Sequence, residues 1–190
     1  MELKATINKR KSIRSFENKT VPKKILKELI IDATKAPSSS NAQSWRFYII
    51  TSKKTRDKII LILHKTLKVF KKNINKMPVH LKNSVTSFYQ NLGDCPNIIF
   101  IYTTKEGGCR DNNIMSVSAA AENIMLSAVD KGLGTCWIGS FKGVEKDLSK
   151  LLNISNDEEL VASIIIGYTK KGYVPLKRDK KALNKVMKFL

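Results

Sequence analysis

The segment that most limits how this chain can fold is "DNNIMSVSAAAENIMLSAVDKGLG", Asp111 to Gly134. Its apolar residues follow a helical period, and its middle, Ser118 to Ala121, carries only small side chains. Small side chains let neighbours approach closely, so the segment predicts a central helix packed tightly against another element. Met115, Ala119, Glu122, Met125 and Ala128 are expected to share one stripe, and Gly132 and Gly134 to stop the helix. Three apolar runs, "RFYIITS", "PNIIFIYTT" and "ELVASIIIGYT", predict the strands around it, with Pro96 at a strand edge.

Pro22 opens a further helix, with Ile25, Leu26, Leu29, Ile30 and Ala33 in helical register up to Pro37. Ser52 is placed to cap another, whose face carries Ile59, Leu63, Leu67 and Phe70. From Lys71 to Gly93 the pattern weakens, predicting a mobile, partly helical excursion. "TCWIGSF" predicts a short strand or extended loop, followed by helices near Val144 to Leu152 and from Lys181. No repeat or low-complexity linker divides residues 1–190, so the expected class is α+β in a single domain.

Composition narrows the function classes. The longest apolar run, Ile59 to Leu63, is far below the ~20 residues of a membrane span. "MELKATINKRKS" has no apolar core of a signal peptide. Three cysteines, Cys95, Cys109 and Cys136, form no pair motif, which predicts free thiols and a reducing, cytoplasmic setting. His64 and His80 have no ligand-like spacing, so no metal site is expected. The net charge of +19 raises the question of nucleic acid. Its lysine doublets are scattered from Lys23-Lys24 to Lys180-Lys181, which favours a dispersed basic surface over a nucleic-acid interface.

Four stretches carry chemistry. In "NKRKSIRSF", Arg10, Ser12 and Arg14 alternate, and an extended backbone would turn all three to one side as an anion clamp. "APSSSNAQSWRFYII" offers hydroxyls and amides from Ser38 to Gln43, without charge until Arg46, suited to a polar, multi-hydroxyl ligand. "KGLGTCWIGSF" ends a helix instead of opening one, which is the wrong context for a dinucleotide fingerprint. Gly139 there instead suits close passage of a flat ligand, with Trp137 and Ile138 as apolar contacts. "LKRDKK" repeats the alternation with Arg178 and Lys180. No nucleophile–base pair or carboxylate pair appears, so any catalysis must borrow its chemistry from a cofactor.

In order and separation, "RKSIRSF", "PSSSNAQSW", "AAAENIMLSAVDKGLGTCWIGSF" and "IIIGYTKKG…RDK" resemble the nitroreductase family over nearly the whole chain. The resemblance implies a homodimer, each subunit a mixed β-sheet wrapped by helices, with flavin mononucleotide (FMN) at the subunit interface. It implies that Arg10 and Ser12, with Lys11 between them, hold the FMN phosphate, and that Arg178 and Lys180 complete that site. Arg14 matches the basic residue near flavin N1 and O2. Pro37, Ser38, Ser39 and Asn41, with Gln43 just beyond, match a loop donated by the partner subunit. Trp137, Ile138 and Gly139 match the strand under the ring, with the Gly139 N–H aimed at N5. Ser44 stands where the family often has proline, and Arg178 then Lys180 reverses the frequent order. The implied activity is transfer of hydride from NAD(P)H, as co-substrate, to a nitroaromatic, quinone or similar small-molecule acceptor in ping-pong fashion. The alternatives are a flavin-handling protein without reductase activity and a basic nucleic-acid-binding protein.

Overall fold

The strand Asn97–Thr103 is buried at every position, which explains why its sequence reads as an unbroken apolar run and not as alternation. The computed structural model describes residues 1–75, 78–105, 108–176 and 179–190, with side chains left undescribed at 66–75, 80 and 81. In chain order its elements are α1 (Leu3–Lys9), α2 (Lys23–Ala33), β1 (Trp45–Ile50), α3 (Lys53–Asn75), α4 (Val79–Asn91), β2 (Asn97–Thr103), α5 (Arg110–Asp130), β3 (Gly134–Trp137), α6 (Glu145–Leu152) and β4 (Glu159–Gly167).

The four strands form one sheet in the order β1-β2-β4-β3, each pair antiparallel. A parallel bridge between Ser12 and Thr135 extends it beyond β3 and makes the whole mixed. Alternate side chains of β2 then serve two cores. Ile98, Phe100 and Tyr102 pack with Ile59 and Leu63 of α3 and Leu148 of α6. Ile99 and Ile101 pack with Leu26, Leu29 and Ala33 of α2 and with Val117, Ala120, Ala121 and Ile124 of α5. The register between β2 and β4 shifts after Ile101, leaving Val161 as the extra residue. Leu160 and Ala162, two apart, consequently serve opposite cores.

The central helix behaves as its composition predicts in one respect and departs in another. Ala120 and Ala121 are fully buried, allowing α2 and the sheet to come close. The expected stripe divides, however: Met115 and Glu122 lie on the exposed side, while Met125 and Ala128 are buried. Steps of three residues fall short of a full turn, so the stripe drifts around the helix and passes from surface to core. The helix ends in a C-terminal capping motif: Leu133 N–H donates to Ala128 C=O at 2.8 Å and Gly132 N–H to Val129 C=O at 3.0 Å. Gly134 has moved on to another task, described below.

Two expectations are corrected. The described residues between 71 and 93 are predominantly helical, α3 running on to Asn75 and α4 covering Val79–Asn91. The weak pattern hid anchors at the far end, where Phe88 and Tyr89 pack on the core and Leu92 is wholly buried. His64 Nε2 lies 3.1 Å from Tyr89 C=O and 3.3 Å from Gln90 C=O, tying α3 to α4. At the other end, the helix expected from Lys181 is only a 3₁₀ turn, Leu183–Lys185. Every residue from 179 to 190 is exposed, and so short a helix without a packed face is not stable. Ser52 caps α3 as expected, its Oγ accepting from Thr55 N–H at 3.4 Å. Leu67 and Phe70 have side chains outside the described residues.

Candidate functional site

The candidate residues fall into three groups, and backbone pairing assembles the first. Ile13 N–H donates to Thr135 C=O at 2.8 Å, laying residues 10–14 along the edge of β3. Gly134 makes this approach possible: a Cβ there would lie 2.6 Å from Thr169 Oγ1 and 2.8 Å from Ile13 Cγ1. Phe16 continues the seam, donating to Gly93 C=O at 2.8 Å and burying its ring. Ile13 is buried, whereas Ser12 and Arg14 on either side of it are half-exposed, as the alternation of an extended segment requires. Arg10, at the end of α1, is half-exposed and Lys11 exposed.

These cations are lightly committed. Arg10 Nε stands 3.5 Å from Glu122 Oε1 of α5, a surface pair of little energy. Arg14 Nη1 donates to the Ser12 carbonyl at 3.5 Å. The remaining guanidinium donors of both and the Ser12 hydroxyl make no hydrogen bond to another described residue. Across the seam, Trp137 is part-exposed at 36%, while the Ile138 side chain is buried in the core at 5%. Ile138 therefore contributes backbone, not an apolar surface. Gly139 is exposed, and a Cβ placed on it would meet nothing within 4 Å. Its amide begins a 3₁₀ turn, Gly139–Val144, and the turn itself offers that amide no partner.

The second group, Pro37 to Gln43, is held by α5 and by bonds within itself. Ser39 N–H donates to Ser116 Oγ on α5 at 3.2 Å, Asn112 Nδ2 reaches Ser39 Oγ at 3.4 Å, and Gln43 N–H donates to Ser38 Oγ at 3.2 Å. Gln43 Nε2 donates to Asn41 Oδ1 at 3.2 Å. Three residues here carry positive φ without being glycine: Ser40 (49°), Asn41 (55°) and Gln43 (49°). Such strain persists only where surroundings enforce it, and it concentrates at binding sites. Among the described residues, no hydrogen bond or ion pair joins this loop to residues 10–14 or 137–139. Ser44, just after the loop, is fully buried and accepts from Thr103 Oγ1 at 3.3 Å, fixing where the loop ends. Of the third group, Lys180 lies exposed on the C-terminal tail and Arg178 falls outside the described residues.

The rest of the molecule offers no competing reactive group among the described residues. No cluster of His, Cys, Asp and Glu could hold a metal. All three cysteines are free, and burial pushes the Cys95 thiol up to about 12. Hydrogen bonding to Arg110, the largest cause, pulls the Glu159 carboxyl down to about 2 despite partial burial. That pair borders a cavity of about 370 Å³ at the N-terminal end of α5, and a second of about 360 Å³ lies between α2 and β1. Neither is lined by a candidate residue. Glu122, Ser116, Asn112 and Ser140 were not legible as site neighbours, because each earns its place by a tertiary contact that leaves no local pattern.

Helices on both faces of a sheet extended by that parallel bridge define a known fold. It matches, over 100% of this chain and 99% of the other, a BluB-like flavoprotein from Clostridium difficile 630, with a TM-score of 0.81 and 24% identity. An iodotyrosine deiodinase solved with FMN and 3-iodo-L-tyrosine aligns with a TM-score of 0.78 and 23% identity, over 99% of this chain and 100% of that one. By sequence, YfhC of Bacillus subtilis (strain 168), which bears the name of an NAD(P)H nitroreductase, is 24% identical over 168 residues, covering 87% of this chain and 84% of YfhC. The Nitroreductase family model matches residues 7–168. The chain belongs to the nitroreductase family.

Proposed function

We propose that the chain acts as one FMN-binding unit and serves as an NAD(P)H-dependent oxidoreductase for a small acceptor such as a nitroaromatic or quinone. The observation that carries this reading is the bridge from Ser12 to Thr135, which lays the lightly committed Arg10 and Arg14 along the β3 strand that leads to the open Gly139. The donor set fits an FMN: Arg10, Lys11 and Ser12 for the phosphate, which Arg178 and Lys180 would complete, and hydroxyls and amides for the ribityl chain. Bound there, the flavin would supply the hydride chemistry that no side chain of this protein can. Arg14 would stabilise negative charge on the reduced ring, Trp137 would cover its edge, and the Gly139 N–H would hold N5. One site exchanging two substrates in turn predicts parallel lines in double-reciprocal plots.

A homodimer completes the account. The loop from Pro37 to Gln43 makes no bond to the first group in its own chain, which suits donation to a second copy. The surface also exposes apolar side chains that such a copy could cover: Leu3 and Ile7 of α1, Met115 of α5, and Val186, Phe189 and Leu190 of the tail. Burying them requires a permanent interface, which for such dimers exceeds ~2,000 Å². Free thiols support a cytoplasmic setting, and no helix among the described residues is long and apolar enough to cross a membrane.

The purified protein should be yellow, carry one FMN per chain, and bleach on anaerobic addition of NADH or NADPH. A flavin that stays oxidised would favour a flavin-handling role. The deiodinase relative supplies a second reading, tested by offering 3-iodo-L-tyrosine against a nitroaromatic to the reduced protein. Intersecting kinetic lines would contradict the shared site.

A further inference from the structure

The turn that begins at Gly139 is gripped from two sides. From below, Phe141 is fully buried, and its ring meets Phe100 of β2 edge-on at 5.1 Å between centroids. From above, Tyr89 of α4 donates its hydroxyl to Ser140 Oγ at 3.0 Å. Ser140 is the neighbour of the open Gly139. Tyr89 itself is set by its surroundings: its ring packs against the core, Phe88 stands edge-on to it at 5.4 Å, and its carbonyl faces His64 Nε2. The Tyr89–Ser140 hydrogen bond ties α4 directly to the segment proposed to meet the flavin.

We propose that Tyr89 is a positioning residue that couples the α3–α4 helical pair to the Gly139–Ser140 turn, so that the placement of α4 sets the aim of the Gly139 amide. The proposal rests on the flavin reading for its functional meaning. Phe141 fixes the depth of the turn through apolar contact, which has no direction of its own. A hydrogen bond does have direction, and the one at Ser140 restrains that residue and, through the Gly139 Cα, the Ile138–Gly139 peptide whose N–H is the donor. A ligand that moves α4 would therefore alter the donor offered at Gly139.

Tyr89→Phe keeps the ring and its packing and removes only the hydroxyl; Ser140→Ala removes the other partner. Amide hydrogen exchange on flavin-free protein reads the coupling directly. Either variant should speed exchange at residues 141–144, the amides bonded within the turn, by about fivefold to tenfold, the loss expected for one hydrogen bond, and the double variant no more than either. Exchange in β2 and β4 should not change. In flavin-loaded protein, both variants should shift the visible absorption band of the bound flavin while its stoichiometry stays at one. Unchanged exchange at 141–144 in both variants overturns the coupling. Faster exchange without a spectral shift overturns the link to the flavin. Wild-type protein that takes up no FMN contradicts the flavin reading instead, and the exchange result decides the coupling independently.

Discussion

The seam of residues 10–16 and the loop of residues 37–43 hold their side chains by opposite means. In the seam, the ladder does the work: backbone bonds to Thr135 and Gly93, with Ile13 and Phe16 buried between the polar positions. In the loop, three left-handed non-glycine residues and a few hydrogen bonds to α5 hold an exposed chain. The seam is therefore as rigid as the sheet edge it extends. The loop is a strained surface that presents hydroxyls and amides. The difference is consistent with the proposal that the seam takes the charged end of the ligand and the loop its neutral, hydroxyl-bearing part.

The harshest way to break the seam without touching a candidate side chain is Gly93→Ala. At Gly93 φ is +64°, and a Cβ would lie 2.1 Å from the Arg14 carbonyl oxygen, so the backbone itself must shift. The expected loss is about 3 kcal/mol or more of stability, read by denaturant unfolding. Arg10→Ala tests the seam's charge instead. It should weaken FMN by about 1.5–3 kcal/mol while leaving riboflavin, which lacks the phosphate, nearly unaffected. Equal losses for both ligands would move the phosphate elsewhere.

The loop should yield more gently. Ser116→Ala removes the acceptor for the Ser39 N–H and should cost about 1 kcal/mol of flavin affinity through loosened presentation, with global stability little changed. Asn41→Gly sharpens the comparison, because glycine tolerates the positive φ while the amide is lost. Weaker flavin binding in a protein of equal or greater stability would show that the strain serves the side chain. The smallest effect lies outside both regions. Glu159 has a carboxyl near 2 in the folded chain against an ordinary 4.5, so its stabilising contribution is present above about pH 4.5 and fades as pH falls through about 2. Glu159→Gln should flatten that acid limb by about 1 kcal/mol after solvent screening, seen as unfolding midpoints from pH 5 to 2.

How much of this was legible in the sequence follows the same division. β2 and β4 announce themselves because both faces are largely buried, so Ile98 to Tyr102 and Ile164 to Ile166 read as unbroken apolar runs. The seam was legible because alternation in an extended segment is a local property: Ser12 and Arg14 flank the buried Ile13, while Arg10 sits at the end of α1. The loop's composition was legible, but its left-handed residues were not, since nothing local forces Ser40, Asn41 or Gln43 into that region. The extent of α4 was underestimated because its anchors, Phe88, Tyr89 and the Leu92 that follows, cluster at its far end. The C-terminal helix was overcalled because a helical pattern with no face to bury cannot hold itself. Glu122 beside Arg10 needed the third dimension.

The central claim is that the seam at the β3 edge holds the phosphate of a flavin. The most direct measurement is the ratio of riboflavin to FMN dissociation constants for the flavin-free protein, taken by quenching of flavin fluorescence. The account predicts FMN bound tighter by about tenfold to a hundredfold, as charge-assisted hydrogen bonds to a phosphate would give. That preference should collapse in Arg10→Ala. Equal affinities, or a preference that survives the substitution intact, would contradict it.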